Sequence, residues 1–149
     1  MDAPAAVRLP ASIRDAIAAA ARAATPLEMC GLIVGSEAPA AGGRPLRWIS
    51  TRNAAASPYT YEVDPADLLR VSLEIDARDE ALWAIVHSHV ASPARPSPTD
   101  VRQAFYPEAL FLIVSLAAAE ADPATGAPSL RAWRIADGEA VEVALEVEG

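Results

Sequence analysis

Hydrophobic residues recur along the chain at two spacings, which together predict alternating helices and strands. Apolar positions three and four residues apart predict a helix over residues 12–24, with Ser12 as its cap. A second helix is predicted from Pro65 to about Arg78, with Asp64 as its cap and proline at the first helical position. A short third helix is predicted to begin at Ser97.

Short apolar runs between turn signals predict the strands. They cover residues 28–36, 46–53, 59–63, 81–89, 111–116, 130–135 and 140–147. The last two form a hairpin around Asp137 and Gly138, a pair of residues typical of tight turns. The order of the elements predicts an α/β fold, in which residues 1–149 form one domain with a mixed β-sheet flanked by helices.

Composition and charge narrow the possible functions. All twelve basic residues are arginine, which excludes lysine chemistry such as a Schiff base or a P-loop. Cys30 is the only cysteine, which excludes an internal disulfide and a cysteine-rich zinc site. The net charge of -8 argues against nucleic acid as a partner, and no apolar run reaches the roughly 18 residues of a membrane span. We therefore expect a cytoplasmic protein, which suits an unpaired thiol.

The only two histidines, His87 and His89, stand two positions apart at the end of a predicted strand. Alternation along the strand places both imidazoles on one face, and Asp100 follows in the predicted third helix. Two imidazoles and one carboxylate leave a fourth tetrahedral position open, as in catalytic zinc sites. An isolated H-x-H pair is a weak signal, and Ser97 with Asp100 also fits a helix cap. The two interpretations of Asp100 are compatible.

Two residues near the start of the first predicted strand, Glu28 and Cys30, each have two possible roles. Glu28 is either an exposed acid at the strand end or a buried carboxylate that has a partner. Cys30 lies two residues further on, so we expect it on the same side of that strand. It is either a small buried hydrophobic residue or a thiol that touches a metal or senses oxidation.

The whole pattern is more specific than its parts. His87, His89, Ser97 and Asp100 form H-x-H, seven residues, S-x-x-D, which resembles the JAMM motif of the MPN-domain zinc metalloproteases. Glu28 matches the glutamate that this family carries on an early strand. The flanking segments resemble those of its small bacterial Mec-like subgroup, the sulfur-carrier–cysteine isopeptidases. They are ExCG at Glu28, Asn53 followed by Ser57, Pro58, Tyr61 and Asp64, and the segments LFLIVSL and LRAWRIADG.

The resemblance implies a single MPN domain with a cytidine-deaminase-like α/β fold. It also implies that His87, His89 and Asp100 bind Zn²⁺. Glu28 would take a proton from water and deliver it to the leaving amine, and Ser97 would donate a hydrogen bond to the oxyanion. Ser97 is not expected to be a nucleophile, because no histidine is left to activate it.

The implied substrate is a small ubiquitin-like sulfur-carrier protein with a C-terminal Gly-Gly, from which hydrolysis of the following amide bond would release cysteine. Only ten residues separate Asp100 from Phe111, which favours a small leaving group over a second folded protein. Two alternatives stay open: a peptidase that removes ubiquitin-like modifiers from proteins or cleaves another small amide, and a non-catalytic MPN scaffold. The resemblance is also compatible with a homodimer.

Overall fold

A computed structural model describes residues 6–149. Its strands are β1 (Val7–Pro10), β2 (Cys30–Gly35), β3 (Pro45–Thr51), β4 (Ala81–His89), β5 (Leu110–Ser115), β6 (Ser129–Ala136), β7 (Glu139–Val143) and β8 (Leu145–Glu148). Its α-helices are α1 (Ala11–Ala24), α2 (Pro65–Arg78) and α3 (Pro98–Arg102). Within these residues, no helix is long and apolar enough to cross a membrane.

Six strands form one mixed sheet in the order β3-β2-β4-β5-β6-β7. β4 and β5 run parallel, and the other neighbouring pairs are antiparallel. The parallel pair needs a crossover, and α3 lies in it, beyond the carboxyl end of β4. A separate two-stranded parallel sheet joins β1 to β8 and so brings the two ends of the described chain together.

The hydrophobic core has two layers because both faces of the central strands are covered. One layer packs α1, β1 and one face of the sheet together, with Leu9, Ile17 and Trp83 among its buried residues. The other packs α2 against the opposite face, where Val71 contacts a cluster that includes Ile85. Strands that are buried on both faces have continuous apolar sequences, which is the pattern of β2, of β5 and of residues 81–86 in β4.

Two predicted elements agree with the structure over their whole length. α2 begins at Pro65 and ends at Arg78, and the Asp64 side chain accepts a hydrogen bond from the backbone N–H of Ala66. β4 covers the predicted residues 81–89. The turn between β6 and β7 has Asp137 and Gly138 at positive φ, as a tight hairpin requires.

Several other predictions were wrong. Ser12 is not a cap, because α1 begins one residue earlier, with Pro10 at its N-cap and no capping side chain. The predicted last strand divides at Ala144 into β7, on the main sheet, and β8, which pairs with β1. The sequence patterns gave no sign of β1.

The predicted strand 59–63 is also absent, and only an isolated bridge joins Asn53 to Val63. The physical reason lies in the Asn53 side chain. It bonds the carbonyl of Thr60 and the N–H of Glu62, two backbone groups that a regular ladder would need.

Candidate active site

Three polar side chains converge at the carboxyl end of β4. The Nε2 atoms of His87 and His89 lie 3.2 Å apart, and each lies 3.2 Å from Oδ2 of Asp100. All three residues are buried. The histidines point to one side because they are two residues apart on the strand, and α3 carries Asp100 back towards them.

The donor set and its spacing fit a divalent metal ion. Imidazole nitrogen and carboxylate oxygen are common ligands of zinc, and ligand atoms about 2.0–2.1 Å from a tetrahedral ion lie about 3.3 Å from one another. The three observed separations are 3.2 Å. Three protein ligands leave one tetrahedral position for water or substrate, which is typical of catalytic sites. The cluster of His87, His89 and Asp100 is thus consistent with a metal site.

A hydrogen bond behind His89 sets which ring nitrogen faces the cluster. Its Nδ1 lies 2.7 Å from the carbonyl oxygen of Pro93, so that Nδ1–H donates, and in the neutral ring Nε2 carries the lone pair that a cation would need. The loop that carries Pro93 is itself anchored, because the indole Nε1 of Trp133 donates to the carbonyl of Ala94 at 3.0 Å. β6 therefore supports the orientation of a side chain on β4.

A capping box holds Asp100. The backbone N–H of Ser97 donates to its Oδ2 at 2.8 Å, and the backbone N–H of Asp100 donates to Oγ of Ser97 at 3.1 Å. The capping interpretation is therefore correct. Oδ2 of Asp100, which accepts from the Ser97 N–H, is also the oxygen that faces the two histidines. The Ser97 hydroxyl accepts this bond and keeps its own hydrogen for another acceptor.

The three residues of the cluster shift one another's pKa values. Burial raises the pKa of Asp100, but the bonds from His87 and His89 outweigh it and hold that pKa well below its usual range. Burial lowers the pKa of His87. For His89, burial also disfavours the charged form, but the bonds to Asp100 and Pro93 prevail and raise its pKa. An ionised carboxylate beside a neutral His87 is the state that metal binding requires.

Glu28 lies beside this cluster, just before β2. It is buried, and its Oε1 has no hydrogen-bond partner among the described residues. Burial raises the pKa of Glu28 to about 7, with His89 acting against this rise and Asp100 adding to it. A carboxyl group that titrates near neutral pH can both accept and release a proton. The alternative of an exposed acid is wrong.

Two residues of the segment between β3 and α2 also reach the site. The ring of Tyr61 stacks on the imidazole of His87, with centroids 4.2 Å apart and planes inclined by 18°. The side-chain amide of Asn53 donates to the carbonyl of Glu28 at 3.0 Å. Sequence patterns assigned neither residue a role, and the only signal was their place in the flanking segments that carry the resemblance.

Cys30 is buried opposite His87 in the β2–β4 register. Its Sγ lies 3.4 Å from Oγ1 of Thr51, on the neighbouring strand, and burial raises the pKa of the thiol. These contacts favour a small buried side chain over a metal-binding thiol, because a thiolate is the form that binds metal.

The chain is similar to proteins of known function and known structure. The chain is 37% identical over 137 residues to the CysO-cysteine peptidase of Mycobacterium tuberculosis, covering 92% of this chain and 88% of the relative. It is 32% identical over 116 residues to the desampylase of Haloferax volcanii, covering 72% and 78%. A solution structure of a Desulfitobacterium hafniense protein is similar with a TM-score of 0.79 and 29% identity, over 95% and 92% of the two chains.

The family comparison covers most of the chain. Residues 10–136 match the model of the prokaryotic homologs of the JAB domain. The expected α/β fold with a mixed, helix-flanked sheet is confirmed by this match and by the similar solution structure. The chain belongs to the prokaryotic JAB-domain family.

Proposed function

We propose that this JAB-family peptidase hydrolyses the amide bond after the C-terminal Gly-Gly of a small ubiquitin-like sulfur-carrier protein and releases cysteine. The observation that carries the proposal is the 37% identity to a CysO-cysteine peptidase over 92% of the chain. The site is compatible with such a hydrolysis, because a buried carboxyl of raised pKa lies beside a His₂Asp cluster. Cysteine biosynthesis would use the product.

We propose Zn²⁺ as the metal, held by His87, His89 and Asp100. The 3.2 Å separations of the three ligand atoms support a small tetrahedral ion. When bound, zinc supplies Lewis acidity, which polarises a carbonyl and makes a water molecule easier to deprotonate.

Glu28 is the proposed general base and acid. It takes a proton from the attacking water and later delivers it to the leaving amine of cysteine, two transfers that a pKa near 7 allows. Both other candidates for this role, His87 and His89, have their Nε2 atoms committed to the cluster with Asp100.

Ser97 is proposed to donate its hydroxyl hydrogen to the oxyanion of the tetrahedral intermediate. Its position at the N-cap of α3, bonded to the backbone N–H of Asp100, holds the hydroxyl next to the cluster. One such donor typically lowers the barrier by about 2.7–4 kcal/mol.

The length of the connection after α3 supports a small leaving group. Seven residues, 103–109, join α3 to β5, so no long insertion is present there to hold a second folded protein. The match to a desampylase nevertheless makes deconjugation of modified proteins the second candidate. A non-catalytic scaffold would not need the complete set of motif residues that this chain carries.

The experiment offers the purified protein two substrates with the same carrier, one ending in cysteine and the other joined to a lysine of a protein. Metal content is measured on the same samples. The proposal predicts release of free cysteine from the first substrate, with about one zinc per chain. Cleavage of the second substrate alone would replace the proposal by the deconjugating function. If the purified protein contains no zinc and cleaves neither substrate, the result would favour the scaffold.

We also propose that residues 1–149 are one domain and that it works in the cytoplasm. The six-stranded sheet drawn from both halves of the chain supports the first statement. The single free thiol of Cys30 supports the second, because unpaired thiols are usual in reducing compartments. Sedimentation of the purified chain tests the homodimer that the resemblance allows.

A further inference from the structure

The side chain of Asn53, between β3 and α2, uses its whole hydrogen-bonding capacity. Its Nδ2 donates to the carbonyl oxygens of Glu28 at 3.0 Å and Thr60 at 3.1 Å. Its Oδ1 accepts from the backbone N–H groups of Ala55 and Glu62, both at 3.0 Å. Two carbonyls on one side and two N–H groups on the other leave only one orientation of the amide that satisfies all four.

The backbone of Glu28 depends on this segment. Glu28 lies outside the β-ladder, which begins at Cys30. Its N–H donates to the carbonyl of Ser57 at 2.9 Å, and its carbonyl accepts from Asn53. Oε1 has no partner among the described residues, so the carboxyl group is held through its backbone. Ser57 and Asn53 bond Glu28 itself, and Ser88 of β4 bonds the adjacent Met29.

The same amide also holds the ring that covers His87. Tyr61 stands between Thr60 and Glu62, and Asn53 bonds the backbone of both neighbours. The Tyr61 ring stacks on His87 with centroids 4.2 Å apart. The Asn53 side chain thus connects Glu28, which lies beside the cluster, with the Tyr61 ring, which packs on it.

We propose that Asn53 is a positioning residue that sets the Glu28 carboxyl group and the Tyr61 ring against the His87–His89–Asp100 cluster. The inference rests on the proposed function of Glu28 as the proton-transferring group. A displacement of about 1 Å between reacting groups can lower a rate by about a hundredfold. Each proposed ligand has a support that does not involve Asn53: the Pro93 carbonyl for His89, the α3 capping box for Asp100 and the β4 ladder for His87. Metal affinity should therefore persist without Asn53.

The test uses Asn53→Asp. The carboxylate still accepts from Ala55 and Glu62, but it loses both donors and places a negative oxygen against the carbonyls of Glu28 and Thr60. On the carrier–cysteine substrate, kcat should fall by about a hundredfold while KM and zinc affinity stay at wild-type values. In the metal-free protein, the backbone amide of Glu28 should exchange its hydrogen about tenfold faster or more.

The matched control is Asp64→Ala. It removes a side-chain bond to the backbone at the other end of the same segment, the α2 cap, without touching Glu28. Its kcat should stay near that of the wild type. Asn53→Ser, which removes the same two amide donors with a smaller side chain, provides a second variant if the aspartate does not fold.

Two results would overturn the positioning role. One is a kcat for the Asn53 variants no lower than that of Asp64→Ala. The other is a parallel loss of zinc affinity, which would indicate general disruption of the site. If the wild type cleaves no carrier substrate, the proposed function fails separately. The Asn53 inference is then decided by hydrogen exchange, and an unchanged Glu28 amide contradicts it.

Discussion

Compared with Glu28, the three residues His87, His89 and Asp100 are held by regular secondary structure. The histidines stand on a nine-residue strand whose last seven residues are buried, and Asp100 belongs to the capping box of a helix. Glu28 lies outside helix and strand, where Ser57 and Asn53 bond its backbone. We call the first group the metal half of the site and Glu28 with Asn53 the base half.

In the proposed function, this difference separates metal binding from proton transfer. A metal needs ligand atoms at fixed separations, which a rigid strand and a capped helix provide. The base half relies on loop hydrogen bonds that run between distant parts of the chain. Changes to the metal half should therefore alter metal affinity, whereas changes to the base half should alter turnover at unchanged metal content.

The largest effect is expected for His89→Ala, which removes one of the three proposed metal ligands. Two remaining ligands hold a metal poorly, so zinc content should fall from about one per chain to near none. Turnover should then drop below detection. Zinc analysis after gel filtration, together with the cysteine-release assay, checks both results. Full zinc content in this variant would show that the metal half is misidentified.

A smaller effect than that of His89→Ala is expected for Ser97→Ala, which removes a hydroxyl that has two roles. Loss of the oxyanion donor should lower kcat by about 10²–10³, and loss of the cap should lower the free energy of unfolding by about 0.5–2 kcal/mol. Thr99→Ala is the control on the same helix, since it removes only an exposed contact with Arg102. Equal kcat in the two variants would remove Ser97 from the mechanism.

The raised pKa of Glu28 predicts a pH-dependent stability in the metal-free protein. Between the ordinary value of 4.5 and about 7, the folded state binds more protons than the unfolded state. The contribution of Glu28 is thus fully present below about pH 4.5 and is lost as pH rises through 7. Relative to Glu28→Gln, the wild type should lose up to about 3 kcal/mol over this window. Urea midpoints of both proteins, measured with a chelator at pH 4.5 and 8, give the difference in stability. The same difference between wild type and Glu28→Gln at both pH values would contradict the burial of an unpaired carboxyl.

The smallest effect concerns the support of the metal half. Trp133→Phe removes the indole bond to the Ala94 carbonyl and so loosens the loop that orients His89. Zinc affinity should fall by about tenfold, as is typical for groups behind a ligand. Trp83→Phe removes a similar indole bond, to Gly43, at the other end of β4. Trp83→Phe should reduce stability without changing zinc affinity. An equal loss of zinc affinity in the two variants would mean that Trp133 acts on stability alone.

Much of the fold could be predicted because its signals are local. Asp64 and Pro65 mark the start of α2 within two residues, and the apolar run of residues 81–86 marks β4. The pairing of β1 with β8 joins four-residue segments from opposite ends of the chain, which no local pattern reports. Residues 59–63 alternate like a strand, but the Asn53 amide takes backbone groups that a ladder would use.

The two halves of the site also differ in how local their sequence signals are. His87, His89, Ser97 and Asp100 fall within fourteen consecutive residues, so their spacing carries a recognisable pattern. The hydrogen bond of Asn53 to Glu28 spans 25 residues, and the contact of Tyr61 with His87 spans 26. Contacts of that kind depend on tertiary packing, which explains why sequence patterns assigned Asn53 and Tyr61 no role.

The most direct test of the central claim compares wild type with Glu28→Gln, both loaded with zinc. The amide keeps the size of the side chain but cannot accept a proton, so kcat for cysteine release should fall by about 10²–10⁴. Zinc content should be the same in both proteins, because Glu28 is not among the proposed ligands. Wild-type turnover in the variant at equal zinc content would contradict the assignment of Glu28 as the proton-transferring group.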